Sequence, residues 1–419
     1  MKLAVFEPQA VGHHMILHVR HIVREALARG WEVCLVTTPE SLEHPSTQLV
    51  IRESAGQLQT RLMRTVSTRP WTRWHPLNLL RQQWERYRAF ADAYRNLARS
   101  DKPDIIYVVH LDYLDKMISL LGSPFQDTPF AGMQLFTRFH HRHMGVKSRS
   151  SRLDTLAGYA FLRLLSRSSL RRLITIDEPL AHYIQKRRPE LQTKLRYVPD
   201  IGALTPGCTK TQAREALGLD DDDCAVLVYG GISQRKGLGH LLDAAVSDAC
   251  RVRVVIIIAG RTDAQVNRLL QSPAANLLRL RGQLRERRGV LTDEEEWQVF
   301  RAADIAWVGY TGFYGMSGIL AQAGCIGLPV IACDEGLIGW MCARYGLGEV
   351  VDVSDTPKVV RAIHRLFREH NPAGNVGKPS ADFAALHAAT AFSRGICDAL
   401  VLQGGPDQST GRECVHDKR

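Results

Sequence analysis

Several features that define large protein classes are missing from this sequence. It contains no run of roughly 18 or more apolar residues, the length that a transmembrane helix requires. Its nine cysteines are scattered, without a CxxC pair or a Cys/His cluster at metal-ligand spacing, so we expect reduced thiols and no bound metal. Glu7 and Pro8 come too early in the chain for a signal peptide. These absences predict a cytoplasmic protein.

Motifs for two kinds of chemistry are also absent. The Gly-Lys-Ser/Thr sequence of a P-loop does not occur, which argues against kinase or GTPase activity. No DxD motif has the flanks of a metal site. No nucleic-acid-binding motif is visible, so we expect no nucleic-acid partner.

The chain carries an excess of positive charge. Its 419 residues include 54 Lys and Arg against 43 Asp and Glu, a formal net charge of +11. Basic residues are densest over Arg138–Arg172 and Arg61–Arg88, and the second stretch also contains Trp71, Trp74 and Trp84. Two interpretations stay open for these stretches. They are solvated helix faces, or they dock peripherally on an anionic membrane, at its inner face.

The order of apolar segments predicts two α/β halves. The length suits two domains of about 200 residues each. Lys2–Phe6 has the pattern of a buried strand, a helical pattern follows and ends at Gly30, and Glu32–Thr37 has the pattern of the next strand. This βαβ unit predicts a parallel sheet. The same order restarts at Ala225–Tyr229, and Val252–Ala259 has the pattern of a buried parallel strand.

The predicted domain bounds follow from this repeat. The first domain covers residues 1–203 and contains no strand between Ser46 and Arg99. The second covers residues 204–375. A helix over 376–402 is expected to pack back toward the first domain, and 403–419 to form a flexible tail.

Two loops of the second half are suited to hold phosphate. Gly230–Gly237 joins a strand to a helix and places Arg235 and Lys236 where cations can neutralise a diphosphate leaving group. Gly312–Ile319 offers glycines and Ser317 as an N-cap, which leaves backbone amides for phosphate oxygens. The alternatives are an exposed basic turn and a glycine loop that permits close helix packing.

Two segments of the first half are candidates for the other side of the site. Gly12, His13 and His14 follow the first strand, at the sheet edge where ligands bind, and the two histidines are candidate acceptor contacts. His110 and Asp112 follow the strand Asp104–Val109 and are candidate catalytic residues, as a sugar contact or a general base. The alternatives are a plain turn glycine and structural histidines.

Taken together, these segments resemble the GT-B glycosyltransferases of family 4. Gly230–Gly237 is similar to the family's G…KG loop, and Glu294–Trp307 to its strand-entry segment. Gly327–Ala332 resembles its G-x-PVia strand. The resemblance is strongest over Val226–Val353. It implies an α/β fold of two Rossmann-like domains facing each other across a cleft. The implied activity is transfer of a sugar from a UDP- or GDP-linked donor to an acceptor, with retention and without a metal.

The resemblance also implies residue roles. Lys236 would contact the donor diphosphate. Arg235 or Arg261 would replace an arginine of the family, because this chain has Gly231 at that position. The donor site is completed by residues of the two strand-to-helix turns: Gly12, Gly315, Met316, Ser317, Gly318 and Ile319. The nucleotide sugar is a co-substrate, and no cofactor is expected.

Two glutamates that the family usually carries are replaced here. Their positions hold Tyr314 and Gln322, which we expect to line the donor site. Gln322 can still accept hydrogen bonds from a ribose through its amide oxygen. The replacements leave two rival interpretations: a catalytically degenerate GT-B module, and a sugar-nucleotide epimerase of the same architecture. Lys236 and the Gly/Ser loop favour a working anion site.

Overall fold

The computed structural model describes residues 1–10, 14–66, 76–370 and 381–401, which form two parallel sheets covered by helices. Each sheet belongs to one half of the chain. No helix within these ranges is long and apolar enough to cross a membrane.

The first sheet orders its described strands β3-β2-β1-β4-β5-β6-β7, with every neighbouring pair parallel. The strands are β1 (Lys2–Phe6), β2 (Glu32–Thr37), β3 (Leu58–Leu62), β4 (Ile105–Val108), β5 (Phe130–Gln134), β6 (Leu170–Thr175) and β7 (Leu195–Tyr197). The helices are α1 (Arg20–Ala28), α2 (Pro39–Glu43), α3 (Pro45–Glu53), α4 (Pro76–Ser100), α5 (Asp115–Leu121), α6 (Asp154–Leu165) and α7 (Glu178–Arg187). A π-helical stretch, His14–Val19, runs directly into α1.

The second sheet orders its described strands β10-β9-β8-β11-β12-β13, again all parallel. The strands are β8 (Cys224–Tyr229), β9 (Val254–Gly260), β10 (Leu284–Arg288), β11 (Ile305–Val308), β12 (Val330–Cys333) and β13 (Gly348–Val351). The helices are α8 (Lys210–Ala216), α9 (Leu238–Val246), α10 (Ala264–Leu269), α11 (Pro273–Leu280), α12 (Asp293–Ala302), α13 (Gly318–Ile326), α14 (Gly336–Tyr345) and α15 (Thr356–His370), followed by α16 (Ala381–Leu386) and α17 (Ala389–Val401).

The central strands follow directly from their sequences. Every residue of β8, β9, β11 and β12 is buried, and all but a few are aliphatic. A parallel strand covered by helices on both faces needs such a continuous apolar run. The capping box of α12 also forms as its sequence predicts, because Thr292 accepts from the backbone of Glu295 and the Glu295 carboxylate accepts from Thr292.

The edge strands β3 and β10 were not predicted. The expectation of no strand between Ser46 and Arg99 was wrong, since β3 pairs in parallel with β2. Their sequences, LQTRL and LRERR, carry too few apolar residues to form a recognisable run. An edge strand packs on one side only, so half-polar sequences are tolerated there, and charged side chains also protect the open edge.

The end of the described chain returns to the first half. Phe383 of α16 lies in the core of the second domain, whereas Phe392, Ile396 and Leu400 of α17 lie in the core of the first, where α17 packs on α1. Near the crossover, Gly202 donates to the His387 carbonyl at 2.9 Å. The predicted tail, 403–419, lies outside the described residues.

In both sheets the strand order reverses at the equivalent strand. In each, the order runs outward from the first strand of its half, with β1 beside β4 and β8 beside β11. Ligands of open parallel sheets bind in the crevice beyond the carboxyl ends of the strands at such a switch point. The loops that follow these four strands therefore define the candidate site.

Candidate active site

The loop after β8 is shaped by glycine and carries two cations. Gly230 and Gly237 adopt φ of +91° and +64°, a region that favours glycine. At Gly237 a Cβ would also collide with the Gly309 carbonyl, so the loop lies directly against the segment after β11. Arg235 and Lys236 lie in the single helical turn between these glycines, immediately before α9.

Lys236 and Arg235 have different surroundings. The Lys236 side chain is 4% exposed, its ammonium donates to the Tyr229 carbonyl, and it lies 5.4 Å from the centre of the Tyr310 ring. The Arg235 guanidinium lies 4.3 Å from the centre of the Phe313 ring. Aromatic faces stabilise cations without neutralising their charge. Two full positive charges are therefore concentrated at the carboxyl end of β8.

The loop after β11 presents the start of a helix beside these cations. Ser317 is the N-cap of α13 but makes no capping bond to the helix, and its hydroxyl instead donates to Tyr310 Oη at 3.2 Å. A Cβ on Gly318 would meet nothing within 4 Å, so the backbone there is open. Ile319 lies next to Gly230 across the gap between the loops. The first amides of a helix have no partner within the helix, so the open start of α13 favours an anion.

This loop also contacts the first domain. The Phe136 ring, which follows β5, lies 6.2 Å from the Phe313 ring and directly over Gly315. Met316 packs against the cores of both domains. The Arg138 guanidinium lies 5.8 Å from the Tyr314 ring centre. Tyr314 therefore faces a first-domain arginine, in the position where the resemblance places a glutamate.

His110 begins the turn after β4 and is 6% exposed. Neither ring nitrogen has a hydrogen-bond partner among the described residues. The ring lies 4.1 Å from the ring of His14 and 4.8 Å from that of Tyr113. Burial, followed by the charges of His18 and Arg86, lowers the pKa of His110 to about 3. The imidazole is therefore neutral at physiological pH and has one N–H to donate to a ligand.

Asp112 holds a loop rather than facing open space. Its two carboxylate oxygens accept from the amides of Leu135 and Phe136 at 2.9 and 3.0 Å. Burial and the neighbouring Asp115 raise its pKa to about 6, against the lowering effect of these two bonds. The carboxylate thus fixes the segment that places Phe136 over Gly315. Its assignment as a general base stays a prediction.

Gln322 is buried in α13, where its amide donates to Oε1 of Glu296 at 2.8 Å. Glu296 belongs to α12 and also contacts the Tyr229 hydroxyl. Burial is the main cause that raises the pKa of Glu296, and its bonds to Tyr229 and Gln322 lower it. The backbone carbonyl of the same tyrosine accepts from Lys236. Sequence reasoning missed Glu296 as a site residue, although it lies in the Glu294–Trp307 segment, because it reaches Gln322 only through the fold.

The other predicted donor-site and acceptor-site residues are Gly12, His13, Gly231 and Arg261. Gly12 and His13 lie outside the described residues. Gly231 is exposed, and a Cβ there would meet nothing within 4 Å, so its backbone is open to the loop surroundings. Arg261 is exposed just after β9, and its carbonyl accepts from Ile232 of the Gly230–Gly237 loop at 2.7 Å.

Glu7, at the end of β1, is a second residue that sequence reasoning missed. It is fully buried, and its carboxyl accepts from the Gln9 amide at 2.9 Å. Burial raises the pKa of Glu7 to about 8. A signal for it existed, since an acidic residue directly after a buried strand lies at the edge where ligands bind.

Comparison with known proteins identifies the fold. No protein-family model matches the sequence, and no curated protein matches it. Among solved structures, a sucrose-phosphate synthase from Thermosynechococcus elongatus superposes with a TM-score of 0.67 at 17% identity, covering 95% of this chain and 98% of that one. Anabaena HepE in complex with UDP-glucose gives 0.64 at 16% identity, covering 96% and 99%. The glycosyltransferase WaaG, involved in lipopolysaccharide biosynthesis, gives 0.62 at 13% identity, covering 95% and 99%.

These likenesses extend over nearly the whole of each chain. They confirm the predicted architecture, an α/β GT-B fold of two Rossmann-like domains. At identities this low they establish the fold alone. Function has to be argued from the residues of the site.

Proposed function

We propose that this protein is a glycosyltransferase that transfers a sugar from a nucleotide diphosphate-sugar to an acceptor. The observation that carries the proposal is the pairing of Arg235 and Lys236 with the open start of α13. Two cations and free helix amides at one place suit a diphosphate, whose negative charge grows as the sugar departs. A UDP-linked donor is the first choice, since UDP and UDP-glucose are bound by Anabaena HepE, which has the same fold.

Charge development explains how such a site would act. When the bond from the anomeric carbon to the diphosphate breaks, Lys236 and Arg235 neutralise the leaving group without a metal. The acceptor hydroxyl then forms its bond to the same face of the sugar and gives its proton to the departing diphosphate oxygen, so that configuration is retained. His110 is neutral and donates its N–H to a sugar hydroxyl. In this scheme, closure of the cleft excludes water, which otherwise hydrolyses the donor.

The acceptor has a candidate space next to the donor loops. A cavity of about 370 Å³ lies between Gly312–Gly315 and the first domain. Its walls include Phe136, Phe139 and Phe161, with Arg138 and Asp154 among the polar groups. An acceptor that combines a hydroxyl-bearing group with an apolar segment fits such a lining.

Nucleotide binding provides the first test. In a thermal-shift panel of UDP, GDP, ADP and dTDP, at least one nucleotide should raise the melting temperature. Saturation at about a hundred times the dissociation constant should stabilise the fold by roughly 2.7 kcal/mol. Lys236→Ala should weaken that shift, whereas Lys358→Ala, which changes an exposed lysine of α15, should leave it intact. No shift with any of the four would favour the degenerate module.

Donor turnover separates the two rival activities. With donor alone, an epimerase interconverts the sugar, whereas a transferase only hydrolyses the donor slowly. Chromatography of the sugar nucleotide after incubation distinguishes the two outcomes. Rapid conversion to a second sugar nucleotide would replace the transferase proposal by the epimerase.

We also propose peripheral contact with an anionic membrane through α6. Leu153, the residue directly before this helix, is 62% exposed, and Leu156 and Tyr159 on the helix are 65% and 70% exposed. Arg149 and Arg152 lie exposed just before them. Exposed apolar side chains beside arginines match an interface that offers acyl chains below anionic headgroups.

Vesicle flotation tests this contact. The protein should float with vesicles that contain phosphatidylserine and not with pure phosphatidylcholine, and binding should fall with added salt. Leu156→Ser combined with Tyr159→Ser should abolish it. Leu280→Ser, at a position 87% exposed on α11 of the other domain, is the matched control. Equal binding by both variants would refute the assignment of α6.

A further inference from the structure

Three buried side chains outside the donor site converge behind β5 and β6. His140 and His141 lie in the turn after β5, and Asp177 follows β6 as the N-cap of α7. Their exposed fractions are 0%, 0% and 1%. One ligand atom from each residue lies within 4.8 Å of the others. The sequence expectation of no metal-ligand cluster overlooked this group, because the aspartate lies far from the histidines along the chain.

Two distances within the cluster are close to those between the ligands of one metal ion. His140 Nε2 lies 3.1 Å from Asp177 Oδ2, and His141 Nε2 lies 3.9 Å from the same oxygen. Two ligands at about 2.0–2.1 Å from a tetrahedral zinc ion lie about 3.4 Å apart. The ligand atoms of the cluster lie within 4.8 Å of one another, so metal binding would draw them together by up to about 1.4 Å.

A bound metal would explain the surroundings of His141. Both of its ring nitrogens are buried and have no hydrogen-bond partner among the described residues, and the same holds for His140 Nδ1. A neutral imidazole has one donor and one acceptor, and leaving both unpaired in the protein interior costs free energy. Metal coordination would satisfy one of the His141 nitrogens, and a buried water is the competing explanation.

The electrostatics are compatible with a cation. Asp177 supplies the carboxylate of the cluster. Its Oδ1 accepts from the Leu180 amide at 2.9 Å and also lies 3.2 Å from His140 Nε2, within hydrogen-bond distance. Oδ2 faces the histidines. Two imidazoles and one carboxylate form a donor set that suits zinc and, by the same ligand types, ferrous iron.

We propose that His140, His141 and Asp177 bind one divalent transition-metal ion, with zinc the best match and a water as the fourth ligand. The site is separate from the donor loops and acts structurally. It ties the turn after β5 to α7, and this turn reaches the second domain, where the Lys147 carbonyl accepts from Gly336 at 2.7 Å. The metal would thereby fix one of the contacts between the two domains.

Metal content of the untagged, full-length protein tests the proposal. After incubation with ZnCl₂ and desalting, elemental analysis should find roughly one zinc per chain. Loading with CoCl₂ should give visible absorption of a four-coordinate cobalt centre. Asp177→Asn should lose the metal although asparagine keeps the helix cap, and His141→Phe should lose it while filling a similar volume.

Matched controls separate ligation from general damage. His143→Ala changes an exposed histidine of the same turn and should retain zinc and the cobalt spectrum. EDTA should lower the melting temperature of the wild type and of His143→Ala but not of Asp177→Asn. The proposal is overturned if the wild type holds less than about 0.2 zinc per chain after loading. It is also overturned if Asp177→Asn and His141→Phe bind zinc as the wild type does.

Discussion

Gln322 donates a hydrogen bond of 2.8 Å to the carboxylate of Glu296, which lies on a different helix. The resemblance to family 4 places a glutamate at position 322, where this chain has an amide that bonds to a carboxylate of α12. An amide N–H can donate a hydrogen bond to a carboxylate, whereas two ionised carboxylates in contact repel each other. We therefore infer that the side chains at positions 322 and 296 are linked.

Introducing a glutamate at position 322 tests this link. Gln322→Glu would place two carboxylates in contact, so the pKa of the pair must rise. When the pKa of a carboxyl is higher in the folded protein than in the unfolded chain, the protein loses stability as pH rises through the folded pKa. Denaturation between pH 4.5 and 8.5 should show a loss that grows with pH, by about 1.4 kcal/mol for each unit of raised pKa.

The double variant Glu296→Gln, Gln322→Glu is the control for this prediction. It restores one carboxylate and one amide with their positions exchanged. Its stability should recover most of what Gln322→Glu loses, and the dependence on pH should return to that of the wild type. A loss that is the same at every pH, or that the exchange does not recover, would break the proposed link.

Lys236 is predicted to dominate leaving-group stabilisation. Its ammonium is buried beside Tyr310 and already positioned by the Tyr229 carbonyl, so it needs no reorganisation during the reaction. Lys236→Ala should lower turnover by about a hundredfold. Lys358→Ala, an exposed lysine paired with Asp355, should keep wild-type rates. Near-normal activity of Lys236→Ala would remove the basis of the donor-site assignment.

His110 is predicted to act as a neutral hydrogen-bond donor. His110→Phe keeps the ring contacts with His14 and Tyr113 but removes both nitrogens. Turnover should fall by about a hundredfold, while the thermal shift produced by nucleotide alone stays unchanged. Because the pKa of His110 is lowered to about 3, the wild-type rate should show no loss on acidification that depends on this residue above about pH 5. A nucleotide shift lost together with turnover would point to a structural role instead.

Sequence patterns predicted the parts of the fold that depend on local order. The buried strands β8, β9 and β11 and the capping box at Thr292 were all visible, because continuous apolar runs and caps are local signals. β3 and β10 were not, since an edge strand has no such run. These differences follow from how much of each element is buried.

The residues of the candidate site likewise divide into those that the sequence predicts and those that only the fold brings together. Lys236 and Ser317 could be proposed from loops that join a strand to a helix, which carry glycine and charge in a recognisable order. Glu296 could not, because its contact with Gln322 crosses from one helix to another. The convergence of His141 with Asp177 likewise depends on neighbouring strands of the sheet, which spacing along the chain does not reveal.

Glu7 leads to a prediction about pH and stability. The residue is fully buried, and burial raises its pKa to about 8 from an ordinary value of 4.5. The folded protein therefore keeps this carboxyl protonated at pH 7, whereas the unfolded chain releases the proton. The stability that the protonated Glu7 carboxyl contributes is fully present below about pH 4.5 and is lost as pH rises toward 8.

Glu7→Gln removes this titration and keeps an oxygen that can accept from the Gln9 amide. Relative to wild type, the variant should gain about 3 kcal/mol of unfolding free energy between pH 4 and pH 7, since each pKa unit corresponds to about 1.4 kcal/mol. Urea denaturation at several pH values measures the difference. Glu43→Gln, at an exposed position of α2, should show no comparable gain. If the difference in unfolding free energy between Glu7→Gln and the wild type is the same at every pH, Glu7 is ionised in the folded state. A partner would then stabilise its charge.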